Sequence, residues 1–340
     1  MRDSKETAQR FDEISVMHTM AMTMIIAFHS VCFYGGRWQK VDAIMIPFWA
    51  KVMMFLDAID LNMFVFISGY LYGYLYIYRN KYRHPSEVIR NKLVRLLLPY
   101  GVWGVFMVTV FPSLNSWRDM LYGVSHLWFL LMLFGVFTLT VILQLLNAQR
   151  FRFTPVLGLS LIAVGIVAWY VFWKYVNPDD FLCATRILYY FGAFMVGYLC
   201  AKLRVAWVMP GQAWVLLPVA LVVMYYLVWH QPVMPYSILL LSKTVCAYVI
   251  CVSLLIIFSK TTLSDRWRSV IQRIEYLSMG IYIFNQIAMD AVFLTPSLHQ
   301  WFESHWVVGP FVLFLIGFFP PMCLSYVFKK YRSLAWAIGG

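Results

Sequence analysis

Two histidines, His18 and His29, lie eleven residues apart on one apolar stretch near the start of this 340-residue chain. Eleven residues is close to three helical turns, so both fall on one helix face, about 16 Å apart along the axis. A neutral imidazole near pH 7 suits general-base work. A face with polar groups at two depths would also line a passage, or bond a neighbouring helix. Other polar groups interrupt apolar stretches further along: Asp57 and Asp60, His126 beside Trp128, Arg186, Lys243, and Asn285 with Gln286 and Asp290.

The elements that must position these groups read as membrane spans. Apolar residues make up 62% of the chain and charged residues 12%, with a mean hydropathy of +0.72. A helix needs about 20 mostly apolar residues to cross a hydrocarbon core. Such runs are expected at 15–35, 52–78, 94–112, 126–147, 155–175, 186–203, 213–230, 237–259, 275–295 and 307–328. The expected fold class is all-α, a polytopic membrane helix bundle of about ten spans, whose short links make neighbours antiparallel. A single domain over 1–340 is expected, with residues 1–14 a polar N-terminal segment and the first span retained rather than cleaved.

The formal charge of +12 is unevenly placed. Basic residues precede the first span and follow the second, fourth, sixth, eighth and tenth, including the run Arg79, Lys81, Arg83, Arg90, Lys92 and Arg95. The opposite loops hold few. By the positive-inside rule both termini are expected in the cytoplasm of a cell that keeps this chain in its inner or plasma membrane. The basic excess is then topology and contact with membrane lipids, and a nucleic-acid partner is not expected. Six cysteines fall in or at the ends of spans without ligand-like pairing, so no metal is expected.

On that topology His29, Asp57, Asp60, His126, Arg186, Lys243, Asn285 and Asp290 all fall in the extracytoplasmic half. A charge at membrane depth is expensive and faces a cavity or a partner. His29, Asp60, Lys243 and Asp290 are therefore expected to converge on one outward-opening polar chamber. Asn285 would line it, and Asp60 and Asp290 would pair with Lys243.

Several stretches carry more than composition. They are Asp12 ahead of a span that closes on Ile25-Ile26-Ala27-Phe28-His29, then Met63-Phe64-Val65-Phe66-Ile67-Ser68-Gly69-Tyr70-Leu71. Lys92-Leu93-Val94-Arg95-Leu96-Leu97-Leu98-Pro99-Tyr100, His126-Leu127-Trp128-Phe129-Leu130 and Ser278-Met279-Gly280-Ile281-Tyr282-Ile283-Phe284 follow. In this order they resemble acyltransferase family 3, the integral-membrane acyltransferases that include surface-polysaccharide O-acetyltransferases. The resemblance implies transfer of an acyl group, usually acetyl, from cytoplasmic acyl-CoA to a hydroxyl of a surface glycan or lipid-linked sugar.

The resemblance also implies roles. His29 stands where the family has its leading catalytic histidine, and Lys92 with Arg95 stands at the family's basic pair. Many members carry arginine at the position of His18 and histidine at that of Asn285. Acyl transfer to an alcohol needs a base, stabilisation of the developing oxyanion, and a water-poor site. His29 is the expected base, with Asp57 or Asp60 to orient it, and Lys243, Arg186 or Asn285 to donate to the oxyanion. Lys92 and Arg95, with Arg90 and His18 on the same side, are expected to bind the phosphates of coenzyme A. His126, Trp128, Arg186 and Asp290 are expected at the acceptor, Trp128 and Trp38 offering faces on which a sugar can stack. The competing expectation is a non-catalytic transporter or exporter of glycan intermediates, which the same outward polar groups would serve. No inverted repeat or pair of broken helices supports it.

Overall fold

In lipid a backbone polar group has no partner outside the protein, so apolar runs of this length fold as helices. The computed structural model describes residues 2–38, 43–82, 84–146, 162, 164–165, 167–177, 179–205, 210–231 and 233–340. Among them the ordered elements are helices, with one isolated antiparallel bridge, Gly35 to Met45. The helices are α1 (Arg2–Cys32), α2 (Pro47–Tyr78), α3 (Pro85–Lys92), α4 (Leu98–Val110), α5 (Asp119–Tyr122), α6 (Trp128–Leu146) and α7 (Ala184–Lys202). They continue as α8 (Pro210–Trp229), α9 (Tyr236–Lys260), α10 (Asp265–Phe293), α11 (Pro296–Ser304), α12 (Gly309–Lys330) and α13 (Arg332–Ala335).

Eight of the described segments are long and apolar enough to cross a membrane, and nine if α10 and α11, bent by 95° at their junction, form one span. The chain is thus a multi-pass membrane protein. Each expected span has a counterpart except that at 155–175, most of which lies outside the described residues. Arg83, Arg150 and Arg152 of the expected basic loops, and Lys40 opposite them, also lie outside the described residues.

Prolines mark several starts. Pro85 and Pro310 sit in the first turns of α3 and α12, where a missing N–H leaves no helical bond unmade. Pro99 lies inside a span and has a different effect. It cannot donate to the carbonyl four residues back, which is that of Arg95, and its ring crowds that carbonyl. The helix widens here into a π turn over Leu93–Leu97. Lys92 is the residue entering that turn and Arg95 lies within it.

The chain forms two compact units. The first comprises residues 1–64 and 206–331, and the second 65–205 and 332–340. In the first, α1 packs against α9, α10 and α12, α10 lies along α12, and α8 along α9. Met17, Ala21, Met22 and Ile26 fill the interior side of α1 without solvent exposure. Polar bonds tie the start of α1 to α10: Asp12 to Arg268 at 2.7 Å and Ser15 Oγ to Glu275 at 2.5 Å. In the second unit α6 packs against α7 and α3, and the turn Trp336–Ile338 packs on α4 and the π turn.

Candidate active site

In the first unit, α1 brings His29 against α10. His29 Nδ1 lies 2.6 Å from Asn285 Oδ1. Asn285 has no exposed surface, whereas His29 is half-buried. The amide nitrogen of Asn285 donates to the backbone carbonyls of Tyr282 at 2.5 Å and Ile281 at 3.3 Å. The contact joins the end of the first span to the segment following Ser278-Met279-Gly280-Ile281-Tyr282, across a separation of 256 residues.

Charged groups gather around the C-terminal end of α1. Arg37 pairs with Asp57 at 3.0 Å. Asp57, Arg37 and Asp60 all act electrostatically on Cys32, one turn beyond His29. Asp60 is buried, and its carboxylate accepts the N–H of Leu61 at 2.5 Å. Asp57 acts electrostatically on Lys243, a partner that the expected pairing with Asp60 and Asp290 did not include. Asp290 is buried and accepts a hydrogen bond from Trp38. Trp38 is itself buried on Phe293, 5.0 Å between ring centroids, so that pair fastens the loop after α1 to α10. His18 lies further back on α1, its ring 4.6 Å from that of Phe64.

The second unit holds the other candidates. The Lys92 ammonium sits 3.9 Å over the Phe137 ring, which packs on Tyr72 and Phe194. A cation over an aromatic face is held electrostatically by the ring. Arg90 and Arg95 are exposed. Lys81 and Arg95 both act on Lys92, so the positive charges share one neighbourhood. Tyr82, in the loop ahead of α3, is buried, and burial raises its phenol above the ordinary value against the opposing charge of Arg95.

Arg186, near the start of α7, stacks 4.4 Å over the Trp128 ring and pairs with Asp180 at 3.1 Å. Asp180 also accepts the N–H of Thr185, in the first turn of α7, at 2.7 Å. Asp180, Leu182 and Cys183 all have positive φ, 58°, 55° and 54°, so the turn is strained backbone held by its surroundings. The Cys183 thiol donates to the carbonyls of Tyr122 and Trp128. His126 is buried in the short turn Ser125–Leu127 that leads into α6.

The family model described as an acyltransferase domain matches residues 11–330. The chain belongs to acyltransferase family 3. No curated protein and no solved structure matched it. Every candidate residue of this acyltransferase family member lies within the matched range, whereas the turn Trp336–Ile338 lies beyond it. Asp180 carries no expected role, although the Asn177-Pro178-Asp179-Asp180 run ahead of an apolar segment is a helix-start signal. The Arg37–Asp57 pair and the Trp38–Asp290 bond carried no local signal, because their partners come from separate elements.

Proposed function

We propose that this membrane acyltransferase moves an acetyl group, or another short acyl group, from acyl-CoA to a hydroxyl of a surface glycan or lipid-linked sugar. The observation that carries the reading is the short contact between His29 and buried Asn285, in a chain that belongs to an acyltransferase family. His29 takes the acceptor's hydroxyl proton as that oxygen attacks the thioester carbon. The new C–O bond forms, the C–S bond breaks, and the proton passes to the departing thiolate. Lys92, Arg90 and Arg95 hold the donor's phosphates through charge-assisted contacts. His18 stands on the same expected face of the bilayer.

The acceptor is held by Arg186, Trp128 and His126 in this reading. Lys243 and Asp60 set the charge around the reacting groups. The basic residues favour a cytoplasmic donor and a cytoplasmic placement of both termini in the inner or plasma membrane. The test compares surface glycans of cells with and without the protein by mass spectrometry. Loss of acetyl groups from a defined glycan upholds the proposal. Identical glycan profiles, with the protein present in the membrane, would reject it.

A further inference from the structure

We propose that Asn285 is a positioning residue that holds His29 in one tautomer, with the proton on Nδ1 and the basic lone pair on Nε2. The inference rests on the acyltransferase reading for its catalytic consequence. Its geometric half stands without that reading.

The direction of the Asn285 amide is fixed by what surrounds it. Two backbone carbonyls, of Tyr282 and Ile281, lie 2.5 and 3.3 Å from the amide nitrogen. Carbonyls only accept, so the NH2 group must face them. Reversing the amide would set its oxygen against those carbonyl oxygens, with no proton between them. Asn285 is fully buried, so water does not offset such a reversal. The oxygen therefore faces the His29 ring, 2.6 Å from Nδ1. A carbonyl oxygen at that distance requires a proton on Nδ1, and in a neutral imidazole the lone pair then lies on Nε2.

Four consequences follow for the reaction. The base is Nε2, which faces away from Asn285 on the ring. When Nε2 takes the hydroxyl proton, the imidazolium keeps its Nδ1–H bond to Asn285, and an amide oxygen does not take that proton away. When Nε2 passes its proton to the thiolate sulfur, the ring returns to the tautomer in which it began. Asn285 itself does not donate to the oxyanion, because both of its N–H bonds are directed at backbone carbonyls.

Asn285→Leu removes the acceptor with little change in volume. In protein with 15N-labelled histidine in lipid nanodiscs, His29 is assigned by its loss in His29→Gln. The wild-type spectrum should show a protonated Nδ1 and an unprotonated Nε2. Turnover of acetyl-CoA should fall about 10- to 100-fold in kcat for Asn285→Leu, with KM within about twofold.

A wild-type spectrum with the proton on Nε2 would overturn the inference. So would folded Asn285→Leu with an unchanged kcat. If Asn285→Leu does not fold, the wild-type spectrum still decides. Wild-type protein that turns over no acyl-CoA would overturn the functional reading, and the catalytic half of this inference with it, while the tautomer is read from the spectrum without turnover.

Discussion

Gly69 of α2 and Gly197 of α7 each face the backbone of the other helix within the second unit. A Cβ on Gly69 would fall on the Phe194 carbonyl, and one on Gly197 on the Phe66 carbonyl and the Tyr70 nitrogen. Each glycine lets the partner helix approach where any side chain would hold it off, the small-residue packing that membrane helices use. The motif Phe66-Ile67-Ser68-Gly69-Tyr70 is thereby explained as a helix crossing. Gly69→Ala and Gly197→Ala should each destabilise the folded protein by about 1–3 kcal/mol or more, since backbone cannot move aside as a side-chain tip can. Gly101, with open space around its Cβ position, is the control. Gly101→Ala should be neutral or stabilising by about 0.5–1 kcal/mol. Thermal unfolding in detergent measures all three.

In the proposed function the Lys92 ammonium, which sits over Phe137, and the exposed guanidinium of Arg95 divide the work of binding the donor's phosphates. Lys92→Met with Arg95→Gln should weaken coenzyme A binding about tenfold or more, roughly 1.4 kcal/mol per factor of ten. The wild-type affinity should fall with added salt, and the double variant should show a shallower dependence. Calorimetry with coenzyme A at two ionic strengths checks both. Equal affinities would assign the pair to membrane topology.

The C-terminal turn should influence the same site although it lies beyond the family match. The Trp103 indole donates to the Ala337 carbonyl at 2.8 Å, and Ile338 is fully buried. Gly339 has a φ of +72° and packs against the Arg95 carbonyl, where a Cβ would collide. Gly339→Val should push on the π turn and weaken coenzyme A binding by about three- to tenfold, through strain at a left-handed position. Trp103→Phe should have a smaller effect in the same direction. Unchanged affinity in both would leave the turn as packing alone.

Helix positions were readable from hydropathy because each span must be apolar along its length, and the ordered motifs located His29 and Lys92. The partner of His29 was not readable as such. Asn285 was marked as polar at a shared depth, but hydropathy carries no azimuth, and the pairing needs α1 and α10 to present facing residues. Asp57 and Asp60 differ by less than one turn, and only packing separates the carboxylate coupled to Lys243 from the one that bonds Leu61. The π turn had a visible cause in Pro99. The strained turn at Asp180–Cys183 had none in its residue types, since Leu and Cys do not favour positive φ.

In the proposed reaction His29 is the base of an acyl transfer. The direct measurement is release of coenzyme A from acetyl-CoA, read as free thiol, by protein in nanodiscs with a membrane glycolipid extract as acceptor. Wild-type protein should release thiol in step with acetylated product. His29→Ala, shown by circular dichroism and gel filtration to be folded, should lose about 100-fold or more of that rate, the range a positioned base supplies. Folded His29→Ala with a rate near that of the wild type would contradict the account.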